Sequence, residues 1–171
     1  QPYQQSASKG YEADGLLYLK SGSKEQNILA KQGDDLRIDW GYFYMVAGKE
    51  NTAYSVGNST ELRKNFVNGT LNSASLEGED SNGNMALVRS YGKVKNVTDK
   101  IMLGYDDIYS IQYFGTNLRP YWNSKGDRTI EAEMLAAYNE YDKLLARCYA
   151  FDKKLMEDAS AAGGKEYAEL C

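Results

Sequence analysis

Gly33-Asp34-Asp35-Leu36-Arg37-Ile38-Asp39-Trp40-Gly41-Tyr42-Phe43-Tyr44 is the stretch on which the fold turns. Leu36, Ile38, Trp40, Tyr42, Tyr44 and Val46 fall on one side of a period-two pattern, and Arg37, Asp39, Gly41, Phe43 and Met45 on the other. Such alternation predicts a long strand ending near Ala47 and buried on one face, with Trp40 in the core. A second acid-and-aromatic stretch, Tyr105-Asp106-Asp107-Ile108-Tyr109-Ser110-Ile111-Gln112-Tyr113-Phe114-Gly115, holds a strand from Ile108 to Phe114, which with Ile101 to Tyr105 gives two strands around Asp106-Asp107.

Working outward, Gln1 to Asp14 is polar and reads as an arm, and Leu16 to Lys20 as a short strand. Ser21-Gly22-Ser23 is a turn, and Ile28 to Lys31 a further strand. Ser59 to Phe66 looks like a capped helical turn before Asn68-Gly69. Asn82-Gly83 reads as a hairpin turn into a strand from Met85 to Tyr91, and Ile101 to Tyr105 as another strand. Short strands separated by turn signals predict an antiparallel sandwich.

The pattern changes at Asn123-Ser124-Lys125-Gly126-Asp127. From Ile130 through Met134, Ala137, Tyr138, Tyr141, Leu144, Leu145, Cys148 and Phe151 to Leu155, apolar residues follow a helical period. Thr129 is placed to cap this helix, Glu131 and Glu133 suit its positive end, and Gly163-Gly164 ends it. The predicted fold is therefore mixed and mainly β: an antiparallel β-sandwich segment, then a long C-terminal helix and the start of another. Residues 1–14 form the arm, 15–123 the sandwich segment and 124–171 a helical connector.

Composition excludes several chemistries. The 171 residues contain no His, so neither a Ser-His-Asp or Cys-His arrangement nor a His-ligated zinc site can be built from them. Asp80-Ser81-Asn82-Gly83-Asn84 begins like a calcium loop, but Met85 stands where the tight-turn Gly is required. No metal and no cofactor is expected. Cys148 and Cys171 lie on separate predicted helices and read as free thiols in preference to a disulfide. With 20 basic and 24 acidic residues the net charge is −4, and no basic stripe invites nucleic acid. No stretch approaches the roughly 20 apolar residues that cross a bilayer. The 15 Tyr and two Trp suit an exported β-sheet protein.

Carboxylates beside aromatics are the hardware of acid–base hydrolases, which makes Asp34, Asp35, Asp39, Asp106 and Asp107 the catalytic candidates. The competing reading is stronger: Asp at a strand entrance satisfies turn amides, and Asp39 can pair with Arg37. Tyr42, Tyr44, Tyr113, Tyr121 and Trp122 could stack a ligand, although aromatics alternating on a strand more often belong to a core. Arg37, Trp40, Tyr113, Arg119, Tyr121 and Trp122 are candidates for binding or interdomain contact. Leu118-Arg119-Pro120-Tyr121-Trp122-Asn123 in particular reads as a latch, because it lies between the last strand and the helix.

Gly33 to Tyr44, Tyr105 to Gly115 and Leu118 to Asn123 closely resemble the glutaminase A-like proteins of bacteria and fungi, in which a β-sandwich region precedes a helical toroid. The resemblance runs from about Gly15 to Cys171. It implies a parent that hydrolyses the glutamine side-chain amide to glutamate and ammonia in a periplasmic or secreted setting, and it assigns no catalytic residue here. It also implies the rest of the sandwich and the toroid as partners, with a second copy of the chain as another surface for the C-terminal helix. The opening at Gln1-Pro2 and the helical run Lys165 to Cys171 agree with a segment of a longer protein. Toroids of this kind also resemble those of inverting glycosidases, so a carbohydrate-binding or glycosidase-associated module is the alternative.

Overall fold

The computed structural model describes residues 6–30, 38–71, 78–80 and 84–171. Residues 1–134 and 135–171 form two compact units. The first unit is a β-sandwich and the second is helical.

Five antiparallel strands form the larger sheet in the order β5-β1-β2-β3-β7, where β1 is Ser6–Ala13, β2 Leu16–Ser23, β3 Tyr42–Gly48, β5 Gly78–Asp80 and β7 Met102–Asp106. The smaller sheet pairs β4, Thr52–Gly57, with β6, Asn84–Arg89. A third ladder pairs β8, Ile111–Tyr113, with β9, Thr116–Leu118. This is the mainly β, sandwich-plus-helix fold that the patterning predicts.

The core begins at β2, whose Leu16-Leu17-Tyr18-Leu19 run is buried at every position. Period two sends Leu17 and Leu19 to one face, where they pack with Tyr54 and Val56 of β4 and with Met45, Met85 and Leu87. β4 comes so close there that a Cβ at Gly10 would overlap the Tyr54 ring, so only glycine fits. Tyr18, with Val46 opposite it in register, points the other way. That face is met by the first turn of the long helix α2, Ile130–Leu170, whose Met134 thioether lies 3.0 Å from where a Cβ on Gly104 would sit. The sheet is thus covered on both faces, which explains an unbroken apolar run where a half-buried strand would alternate.

Several expectations change. Ser6–Ala13, read as an arm, is β1, paired with β2 from Ser6↔Ser23 to Ala13↔Leu16. The long strand of residues 33–47 reduces to Tyr42–Gly48, since residues 31–37 lie outside the described residues and Ile38, Asp39 and Trp40 are not in a strand. Gly41 is the reason, with φ +83° and so close to Asp106 that a Cβ would lie 2.5 Å from its carbonyl oxygen. The alternation therefore breaks there, leaving Ile38 exposed and Trp40 half-buried.

Ile28 and Leu29 form a turn, not a strand. Residues 81–83 lie outside the described residues, but the strands on either side of them belong to different sheets, so β5 and β6 do not form a hairpin. The strand expected from Ile108 is shorter, because Phe114 and Gly115, at φ 45° and 76°, fold residues 111–118 into a two-residue hairpin. The helix α1, Ser59–Val67, is capped by Asn58, whose side chain accepts from the Thr60 N–H at 2.9 Å.

In α2, the Thr129 hydroxyl accepts from the Ala132 N–H at 3.2 Å, as expected of an N-cap. Gly164, at φ 82°, breaks the helical path where Gly163-Gly164 predicts it. Ile130 and Met134 are buried and Tyr138 and Leu145 half-buried, but most of the apolar stripe is open to solvent, with Leu144 51 % and Phe151 66 % exposed. Cys148 and Cys171 are free and exposed.

Leu19→Ala should cost about 3 kcal/mol in urea unfolding, because the cavity would open in the covered centre of the sheet. Leu103→Ala, in register with Met45 on the same face but uncovered, should cost under about 1 kcal/mol.

Candidate functional site

Two of the sequence-predicted segments meet at one end of β3 and β7. A cleft of about 530 Å³ there is lined by Asp39, Trp40, Tyr42, Tyr105, Asp106 and Trp122, together with Ser21 to Ser23, Asp107 and Pro120. Its wall is held by hydrogen bonds between side chains and the main chain. The Trp40 indole N–H donates to the carbonyls of Asp107, at 2.8 Å, and Tyr109, at 2.9 Å. Gln26 accepts from the Gly41 N–H at 2.5 Å and donates to the Ser23 carbonyl at 2.7 Å, and the Ser23 hydroxyl donates to the Asp39 carbonyl at 2.9 Å.

The carboxylates on the opposite strand serve the turn. Asp106 Oδ1 accepts from the Ile108 N–H at 3.0 Å, and Asp107 Oδ2 accepts from the Ser110 hydroxyl at 2.6 Å. Ile108 is a β-branched residue at φ 57°, a costly conformation that these bonds help to hold. Asp106 and Asp107 are therefore structural ligands of a strained turn, which is the role that strand-entrance aspartates commonly take.

Asp34, Asp35 and Arg37 lie outside the described residues. Tyr113 is exposed on the β8–β9 hairpin, in edge contact with Phe114. The Arg119 guanidinium stacks 4.9 Å from the Tyr109 ring, and Tyr121 is 96 % exposed. Of the proposed latch, Trp122 lines the cleft, while Asn123 is buried and accepts from the Arg128 N–H at 3.0 Å. The structure brings Asp39, Trp40, Asp106, Asp107 and Trp122 together, and leaves Tyr113 and Tyr121 out of the cleft.

A second polar cluster on the larger sheet's other face escapes sequence reading. Tyr11 stacks on Tyr18 at 5.1 Å, and its hydroxyl donates to Glu131 Oε1 at 2.6 Å, while Tyr18 donates to the Glu131 carbonyl at 3.3 Å. Lys20 lies with Nζ 3.7 Å from the Tyr42 ring centroid, directly opposite Lys9 in the β1–β2 register. Burial, and then the charge of Lys9, lower the Lys20 pKa against the pull of Glu131 and Asp106. Burial first, and then Glu131, raise those of Tyr11 and Tyr44. The only local signal was the polar Lys20 directly following a four-residue apolar run.

Residues 1–158 match the family described as a domain of unknown function, DUF5127. The chain belongs to that family. No curated protein and no solved structure matches it. Among the described residues of this DUF5127 domain, no group of three or more Cys, Asp or Glu side chains is placed to hold a metal. No described helix is long and apolar enough to cross a membrane.

Trp40→Phe should lower stability by about 1–2 kcal/mol in chemical denaturation, because two carbonyls lose their donor while most of the ring's packing is kept. Alkaline pH gives a second test. Tyr11 and Tyr44 have folded pKa values above the ordinary 10, so the folded state keeps protons that the unfolded chain loses, and stability falls as pH rises past 10. Lys20 acts in the opposite sense, adding stability as pH rises toward its ordinary 10.5. Tyr11→Phe should flatten the alkaline fall in melting temperature, and Tyr11, Tyr18 and Tyr44 should resist ionisation in a 295 nm absorbance titration of the wild type.

Proposed function

We propose that this domain is a non-catalytic β-sandwich and helical connector of a protein resembling the glutaminase A-like hydrolases, exported or periplasmic, whose amide-hydrolysing groups lie outside residues 1–171. The observation that carries the reading is that Asp106 and Asp107 each accept a hydrogen bond within the 106–110 turn, which supports a structural role for the most conspicuous carboxylate pair. The exposed stripe of α2 beyond Met134 supports a connector, since a row of apolar residues open to water suits a surface made to be covered. The occupant that this reading assigns to it is the helical toroid of the parent, with a second copy of the chain as the other outcome.

A carbohydrate-binding module is the second reading, favoured by one observation. Trp40, Tyr42, Tyr105 and Trp122 line a cleft that also holds Asp39, and aromatic planes beside carboxylates are what a sugar face and its hydroxyls require.

This chain should release no ammonia from glutamine above the buffer rate, whereas the parent should. Turnover by the chain at the parent's level refutes the non-catalytic reading, and failure of both refutes the glutaminase assignment. Glycan-array binding that Trp122→Ala abolishes would establish the second reading.

A further inference from the structure

The cleft at the end of β3 and β7 has walls of two kinds. Trp40, Tyr42, Tyr105 and Trp122 supply aromatic surface, and Tyr105 is 71 % exposed, so a large part of that surface meets water. Asp39, Asp106 and Asp107 supply carboxylates, and among the described residues no Lys or Arg lines the cleft. The adjoining residues 31–37 hold two acidic and two basic side chains, which leaves that balance unchanged. Two cations stand close by, each on a ring: the Lys20 ammonium 3.7 Å from the centroid of Tyr42, and the Arg119 guanidinium 4.9 Å from that of Tyr109. Even with both counted, the three carboxylates are in excess.

Asp106 and Asp107 each give one oxygen to their turn, accepting from the Ile108 N–H and the Ser110 hydroxyl. Among the described residues nothing donates to the other oxygen of either. The two walls therefore make separate demands on a ligand. A sugar ring laid on an aromatic plane answers the first through its C–H face. A neutral sugar then covers the carboxylates with hydroxyl donors alone, and a uronate or sulfated sugar sets like charge against them. A protonated amino group answers both walls, because an ammonium is attracted to a carboxylate and to the face of an aromatic ring. The protein uses this pairing itself, since Lys20 lies on Tyr42 within the pull of Asp106. At about 530 Å³ the cleft is within the roughly 300–1,000 Å³ of small-ligand sites.

We infer that this cleft binds an amino-sugar unit of a glycan, with the sugar ring on the aromatic wall at Tyr105 and Trp122 and the ammonium against Asp106 and Asp107. The inference rests on the carbohydrate-binding reading of the cleft and adds the sign of the ligand's charge. It gives the two aspartates a double role in which neither transfers a proton: one oxygen holds the turn, and the charge of the group selects a cation.

The test is isothermal titration calorimetry of this chain with a β-1,4-linked glucosamine tetramer and with its fully N-acetylated counterpart, which share a skeleton and differ in charge. The glucosamine tetramer should bind at least about tenfold more tightly, the factor that one ammonium–carboxylate contact of about 1.4 kcal/mol supplies. Asp107→Asn, which keeps an acceptor for the Ser110 hydroxyl and removes the charge, should erase that advantage with the melting temperature unchanged. Trp122→Ala should abolish binding of both tetramers, and it serves as the deciding variant if the Asn form does not fold. Equal or tighter binding of the N-acetylated tetramer overturns the inference and leaves the carbohydrate reading standing. Binding of neither overturns both. Glucosamine binding that survives Trp122→Ala comes from the net negative charge of the chain as a whole and overturns the inference.

Discussion

Burial of β2 on both faces is the constraint around which the first unit is built. Tyr18 and Leu19 are adjacent in sequence, point in opposite directions and are both fully buried. Leu19 requires the β4–β6 sheet on one side, and Tyr18 requires Val46 and the start of α2 on the other. Strand pairing fixes the middle layer, and the hydrophobic effect then brings an outer layer to each face. The hydrogen bonds from Tyr11 and Tyr18 to Glu131 orient the first turn of α2 on that surface, a direction that the apolar contacts of Ile130 and Met134 alone do not supply.

Residues that look like catalytic hardware work here as carpentry. Trp40 holds the 107–109 turn through its indole N–H, and Asp106 and Asp107 hold the same turn from within. The logic is electrostatic: a turn that leaves amide groups unpaired and forces Ile108 into the left-handed region needs acceptors close by, and a short carboxylate side chain is the nearest available. An aromatic next to an acid therefore carries no catalytic meaning until the partners of both are known. The cleft these residues surround keeps its shape because its walls are tied by main-chain carbonyls, which side-chain substitution elsewhere does not remove.

Of the fold, the elements with strong local signals were legible. The Thr129 cap, the break at Gly164, the short strand from Leu16 and the helix beginning at Ser59 are each set by residues within a turn or two, through capping geometry, glycine's access to positive φ and apolar runs. The arm that became β1 was not legible, because Ser8, Lys9, Gly10 and Glu12 have little strand propensity of their own and are held by pairing with β2 and β5. The long strand through Trp40 was misread for the same kind of reason. Its period continues through Gly41 in the sequence, but the close approach of the Asp106 backbone turns the chain there.

The sequence by itself determined the class of the fold, the helical C-terminal region, the absence of histidine chemistry and the membership of Asp39, Trp40, Asp106 and Trp122 in a shortlist of site residues. These follow from composition and from periodicities shorter than a dozen residues, which side-chain geometry imposes locally. Only the tertiary structure decided that two segments more than sixty residues apart share one cleft, that Asp106 and Asp107 bond within their own turn, and that Lys20 sits under Tyr42 opposite Lys9. It alone showed that, among the described residues, a two-stranded sheet faces a five-stranded one. Pairing partners, and the faces they leave bare, are set by contacts between residues distant in the chain, and no local pattern encodes which strand will find which neighbour.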